Sequence, residues 1–212
     1  MRACSTMARK PALAAKAAKA ARAPLAVKPA VAKKAAEAPA RAAPGADRSD
    51  GEKRYFLMKT EPTTFSLADL KSRKDNIEPW EGVRNYAARN HMLSMRLGDE
   101  AFFYHSSCAE PGIVATVEIV REGHPDPSQF DSKSKYFDAK ATEDKPRWFQ
   151  VDVQLKRTFE KPILLSALRQ FQSKELAGMV LLSKTRLSVQ PVTKAEWDFI
   201  TQLADKSEGK DA

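Results

Sequence analysis

The sequence predicts an α+β domain built on a curled, mostly antiparallel sheet and preceded by a disordered tail. Three observations carry this. Residues 1–54 hold 20 alanines, 5 prolines and no aromatic residue, too little apolar surface to offset the entropy of ordering the chain. Beyond Tyr55 the pattern changes abruptly, and runs such as "RWFQVDVQLKRTF" alternate Val151, Val153 and Leu155 with Asp152 and Gln154, which fixes one buried and one wet face of a strand. The strand-like runs are joined both by hairpin-like turns and by capped helices at intervals, which suits an α+β arrangement.

Taken in order, "YFLMKT" from Tyr55 reads as an edge-to-core strand opening the domain. In "FSLADLKSR", Ser66 is placed to cap a helix with Asp69 three residues on, a weak variant of the capping box whose carboxylate also suits the positive helix start. Asn85 caps a second helix, with Ala88, Met92 and Met95 on one face and Gly98 ending it. Two strands follow, "EAFFYHSS" and "GIVATVEIV", separated by the turn residues of "CAEPG". The segment from Arg121 to Pro146 has few aliphatic residues and three prolines, so it reads as a long surface excursion, functional or mobile. A helix near "LLSALRQF", a strand "RLSVQPV" and a last helix "TKAEWDFITQLA", with Thr193 and Glu196 as a capping box, complete the domain. The domain is expected to span residues 55–204, with residues 205–212 a disordered end.

The net charge of +9 resides in the tail. Residues 1–54 hold 13 Lys or Arg against 4 acids, and residues 55–212 hold 23 against 23. The stretch "KAAKAARAPLAVKPAVAKK" spaces its cations in the manner of basic arms that bind nucleic acid; a merely solubilising tail is the alternative. Lys16 and Lys19 interrupt "ALAAKAAKAA", so a secretory signal is not expected, although an organellar transit peptide stays open. Met7 offers a second start. No run long enough to span a membrane occurs. Cys4 and Cys108 fall in the tail and in a loop, so a reducing compartment is expected and a structural disulfide is not. A monomer is the simplest expectation.

His91, His105 and His124 show none of the short spacings of a zinc site, so no metal and no cofactor is expected. Ser106 follows His105, yet neighbours on a strand point to opposite faces and cannot share a proton. No glycine-rich phosphate loop occurs, and Asp152, which could act alone as a base, reads as a wet-face charge. What remains suits a planar, hydrogen-bonding ligand such as a nucleobase. Phe56, Trp80 and Tyr86 offer aromatic faces, Asn85 an amide that donates and accepts, and Lys59, Arg84 and Arg186 charge for a phosphate. Each aromatic residue could equally be core, and Asn85 only a cap.

"FLMKTEP", "FSLADL", "WEGVRNYAARN", "GDEAFFYHSS", "EPGIVATVEIV", "WFQVDV" and "RLSVQPVT" follow in the order seen in the EVE domain, and the chain resembles the thymocyte nuclear protein family and its bacterial relatives over about residues 55–203. The resemblance implies a PUA-like fold, a curled β-barrel flanked by helices, and binding without turnover. It implies a pocket among Lys59, Trp80, the run Val83, Arg84, Asn85 and Tyr86, the strand of His105 and Ser106, and the strand of Arg186, Leu187 and Ser188. The ligand it implies is a modified base in DNA or RNA, with cytosine carrying a methyl or oxidised methyl group as the leading candidate. Phe56, Ala87 and Ser107 stand where the family commonly has tryptophan, glutamine and asparagine, so the mode of binding carries over and the exact base does not.

A flipped base costs a few kcal/mol to unstack, and stacking on an aromatic side chain returns about 1–3 kcal/mol. Discrimination then rests on small groups: a methyl in an apolar niche gains about 0.8 kcal/mol, whereas an oxidised methyl needs a partner such as Lys59 or Ser106. With a neutral domain, attraction to phosphates falls to the tail, which supplies affinity while the pocket supplies selectivity. The rivals are a nuclease or base-modifying hydrolase using Asp152 or His105, and an architectural protein that binds through its tail alone. An Ala/Lys/Pro arm favours a bacterial cytoplasm; the family's eukaryotic members point to a nucleus.

Overall fold

Strand β1 (Tyr55–Thr60) alternates between two cores. Phe56 and Met58 enter one hydrophobic cluster and Leu57 enters the other. The computed structural model describes residues 52–209; the tail expected over residues 1–51 and the final residues 210–212 lie outside the described residues.

After β1 come α1 (Leu67–Lys71), β2 (Ile77–Pro79), α2 (Tyr86–Leu93), β3 (Glu100–His105), β4 (Gly112–Pro125), β5 (Phe149–Leu164), α3 (Leu165–Arg169), α4 (Val180–Ser183), β6 (Val189–Val192) and α5 (Lys194–Ser207). They build one six-stranded sheet in the order β2-β5-β4-β3-β1-β6. Only β1 and β3 run parallel; every other pairing is antiparallel. The fold is a PUA-like curled barrel left open between β2 and β6, so β1 is an interior strand and not an edge.

The curl has a local cause. Thr116 pairs with Arg157 but Val117 pairs with Leu155, which leaves Lys156 as an extra residue in β5. A one-residue bulge exchanges the faces of everything beyond it. Val151 and Val153 therefore point inward with Trp80 and Phe103, while Phe159 and Ile163, at the same odd spacing, point outward under α5. Helix α2 fills the inside with Ala88 and Met92. Helix α5 covers the outside, its Trp197 stacked on Phe102 with ring centroids 4.0 Å apart.

The expected caps form. Ser66 and Asp69 make a reciprocal capping box, as do Thr193 and Glu196, and Asn85 Oδ1 accepts from the Ala87 and Ala88 amides at 2.9 and 3.1 Å. Both expected domain edges need correction. Arg54 N–H donates to Asp99 Oδ1 at 2.9 Å and Lys53 pairs with Glu100, so the fold begins before Tyr55. At the other end, α5 continues to Ser207 in place of a disordered end from residue 205, because Asp205 and Glu208 hold Arg157 at 2.6 and 2.8 Å. Apolar periodicity does not register an ion pair.

The surface excursion is also shorter and firmer than expected. Strand β4 runs on to Pro125, and the connection that follows is pinned by polar groups where aliphatic ones are missing. Buried Gln129 donates its amide to the Asp126 and Trp148 carbonyls, each at 2.8 Å, and accepts from the Arg147 and Trp148 amides at 2.9 and 3.0 Å.

Candidate nucleic-acid interface

The expected site residues separate into three neighbourhoods. The first is the inner wall of the barrel. Trp80, 7% exposed, is held by its own amide, which donates to Val151 O at 2.7 Å. Its ring meets Phe103 edge-on at 5.4 Å and Phe65 at 6.4 Å. Phe56 and Val83 are buried in the same cluster. These three line the interior, and Trp80 has edge-on ring neighbours where the sequence offered an open aromatic face.

The second neighbourhood is the mouth formed where β1 and β3 end. Ser106 Oγ donates to Thr60 O at 3.1 Å. His105 Nε2 accepts the Leu67 N–H at 3.2 Å, and burial lowers its pKa, so the ring is a neutral acceptor tying β3 to α1. Lys59 pairs with Tyr104, which puts both on the outer face, opposite Trp80. Its ammonium donates to Thr185 O at 3.0 Å, and burial lowers its pKa. Ser188 O accepts the Lys59 amide at 2.8 Å, Leu187 packs on the inner cluster and Arg186 is exposed.

The third neighbourhood is a layer of cations and rings over the start of α2. Arg84 is spent within the fold. Its Nη1 meets Asp126 Oδ2 at 2.8 Å, its Nε donates to Tyr136 O at 2.8 Å and its Nη2 to Ser128 Oγ at 3.0 Å. The sequence offered Arg84 to a phosphate, and the structure gives it to a buried carboxylate. Arg84 lies 5.4 Å from the Tyr136 ring and 5.5 Å from the Trp148 ring. Trp148 stacks on Tyr86 at 4.8 Å, and Arg89 lies 4.7 Å from the Tyr86 ring. The result is a ladder Tyr136, Arg84, Trp148, Tyr86, Arg89, in which two guanidinium groups lie against three rings. Arg147 joins Tyr86 Oη to Asp138, and the indole of Trp148 donates to Asp138 Oδ2 at 2.7 Å. Tyr86 keeps 48% of its surface exposed, and the Asn85 cap uses only Oδ1, its NH2 having no hydrogen-bond partner among the described residues.

Asp126 is the keystone of this layer and was missed in the sequence. Burial alone would raise its pKa, but hydrogen bonds from Ser128, Arg84 and the Gly82 amide outweigh it and hold the carboxyl below the usual range. The readable signal was "DPSQ", an Asp capping a turn with proline at its first position; Asp126 Oδ1 accepts the Ser128 amide at 2.8 Å. Gly82 has φ +81°, and a Cβ there would stand 2.6 Å from the Tyr136 ring. The glycine inside "WEGVRNY" is thus required twice, for its backbone angle and for the close approach of Tyr136.

The EVE domain family matches residues 54–203. Human thymocyte nuclear protein 1 is 41% identical over 167 residues, 72% of this chain and 74% of its own length. A crystal structure of human THYN1 protein in complex with 5-methylcytosine containing DNA is 40% identical and superposes with a TM-score of 0.70, covering 72% of this chain and 98% of the other. The crystal structure of a Pseudomonas syringae protein is 46% identical with a TM-score of 0.67, covering 71% of this chain and 99% of the other. The chain belongs to the EVE domain family.

Proposed function

We propose that this protein is a non-catalytic nucleic-acid-binding protein that reads a modified base, with 5-methylcytosine in DNA as the first candidate. The observation that carries this reading is its 40% identity, at a TM-score of 0.70, to a protein solved on DNA containing that base. The local chemistry supports it: an aromatic inner wall, the hydroxyl groups of Ser106 and Ser188 and an exposed Arg186 where β1 and β3 end, and an exposed Tyr86 over the start of α2. A modified base in RNA meets the same chemistry.

In this reading the contacts to the base come from Trp80, Val83, Asn85, His105, Ser106, Leu187 and Ser188. Arg186 and Tyr86 sit at the rim, Lys59 approaches through the 184–188 segment, and Phe56 and Arg84 act from behind as supports. The basic tail supplies phosphate contacts. The protein acts as a monomer without metal or cofactor, in a nucleus if its source is eukaryotic and in the cytoplasm if bacterial; relatives occur in both groups.

An enzyme acting through His105 or Asp152 fits less well. The His105 lone pair is used by the Leu67 amide, and Asp152 stands on the outer face beside Arg121 and His124. Incubating the full chain with labelled oligonucleotides and divalent cations tests this. Saturable binding with every strand and base recovered intact is expected; cleavage or base release that vanishes in Asp152→Ala or His105→Ala would overturn it.

A further inference from the structure

The arginine expected at a phosphate is spent within the fold, and a different one stands free of acid. Arg84 is neutralised by buried Asp126. Arg89, in the middle of α2, meets only neutral acceptors among the described residues. Its Nε and Nη2 donate to Asn90 Oδ1 at 3.2 and 2.8 Å, and its Nη1 donates to the Arg147 carbonyl at 3.0 Å. That last bond ties it to a second arginine. The Arg89 and Arg147 guanidinium carbons lie 4.7 and 5.8 Å from the centre of the same Tyr86 ring.

Donors outnumber acceptors in this group. Among the described residues, Asp138 is the carboxylate bonded to it, receiving Arg147 at 3.1 Å and the Trp148 indole at 2.7 Å. The Lys140 ammonium acts on Asp138 as well, so the group has three cations, Arg89, Arg147 and Lys140, to one carboxylate. Each terminal nitrogen of a guanidinium carries two N–H groups, and the Arg89 bonds leave one on each unused. Arg147 Nη2 donates to Tyr86 Oη, which leaves the phenolic proton to donate elsewhere. The first turn of α2 holds no acid. Such a set of donors with excess positive charge suits an anion with several acceptor oxygens, as a phosphodiester is. The exposed ring between the cations suits the sugar and base of the same nucleotide better than it suits an acidic side chain.

We propose that Arg89, Arg147 and the Tyr86 hydroxyl form a phosphodiester site that holds the backbone of a nucleotide next to the one that is read. Tyr86 lies three residues from Val83 of the inner wall, so the site borders the segment that lines the candidate pocket. Resting on the reading of this protein as a nucleic-acid binder, the site gives the folded domain a phosphate contact of its own, in addition to those of the tail. Phosphate contacts fix register and carry no sequence information, so this one contributes equally to plain and modified cytosine. Arg89 carries most of it, because Arg147 shares its charge with Asp138.

The test titrates the full chain with an oligonucleotide holding one central cytosine, plain or methylated, over a series of salt concentrations. Arg89→Gln should weaken binding to both forms by the same factor and lower the slope of log affinity against log salt by about one, with any preference between the forms kept as in the wild type. Arg89→Lys keeps the charge and should keep the slope. So should Lys161→Gln, which removes an exposed cation near the opposite end of β5. Adding the oligonucleotide to the wild-type chain should also shift the nitrogen-15 signals of the Arg89 and Arg147 side chains, which reads the site without a substitution. Unmoved signals, or a wild-type slope in Arg89→Gln, overturn the proposal; equal affinity loss in Arg89→Lys at that unchanged slope makes Arg89 a support for the Arg147 carbonyl alone. An equal fall of slope in Lys161→Gln overturns it as diffuse attraction. A slope that falls in Arg89→Gln, from a wild type that binds plain and methylated forms equally, supports the phosphate site and contradicts only the base reading.

Discussion

Arg84 and Asp126 meet at 2.8 Å across 42 residues of chain, and the carboxylate they share with the Gly82 amide is fully buried. Removing one partner of a buried pair strands the other charge, so Asp126→Asn should cost about 3–5 kcal/mol in chemical denaturation. The sign of its pH dependence follows from the lowered carboxyl. Stability from Asp126 is complete above the ordinary carboxylate range and drains away as pH falls through and below it. The acid limb of the stability profile should flatten in Asp126→Asn.

Arg84→Lys should not rescue that layer. A lysine cannot reach Asp126, Ser128 and Tyr136 together, because those bonds use three different guanidinium nitrogens. Denaturation of this variant should show a loss close to that of Arg84→Ala, whereas a free phosphate-binding arginine would tolerate lysine without loss of stability.

Gly82→Ala combines a left-handed backbone angle with a 2.6 Å approach to Tyr136. The backbone term alone is about 1–2 kcal/mol, and displacing a ring that packs under Arg84 adds to it. Thermal unfolding should show the drop, and the near-ultraviolet circular dichroism of the Tyr136, Trp148 and Tyr86 group should change with it.

Lys156 separates a side-chain effect from a register effect. Its ammonium bridges Glu100 and Glu118 at 2.8 Å each on an exposed face, so Lys156→Ala should cost no more than about 1 kcal/mol. Deleting the residue removes the bulge and turns Phe159 and Ile163 away from the outer core. The deleted chain should fail to fold cooperatively.

Much of this architecture was legible in the sequence because caps, alternation and a run as long as "GVRNYAARN" are local signals. Ser66, Asn85 and Thr193 cap the helices that their spacing indicated. Three features were hidden because they depend on partners distant in sequence. The bulge at Lys156 preserves the odd-numbered apolar pattern while exchanging its faces. Lys59 looks like a neighbour of Trp80 until register with Tyr104 sends it outward. Arg84 looks available until Asp126, Ser128 and Tyr136 fold back from the 126–148 segment to occupy it. That segment has few aliphatic residues to announce burial, and its order comes from Gln129 and Asp126 instead.

The inner wall also changes how the reader hypothesis is best tested. Trp80→Ala opens a cavity in the main core and should cost about 3–5 kcal/mol, so a loss of binding there would not separate recognition from folding. Ser106→Ala and Arg186→Ala alter groups at the mouth and leave that core intact.

The most direct measurement is the affinity of the full chain, at one fixed salt concentration, for oligonucleotides holding one central cytosine that is plain, methylated, hydroxymethylated or carboxylated. A preference of at least tenfold for one modified form, about 1.4 kcal/mol, is expected, reduced in Ser106→Ala while overall affinity is retained through the tail. Equal affinity of the wild-type chain for all four would contradict it.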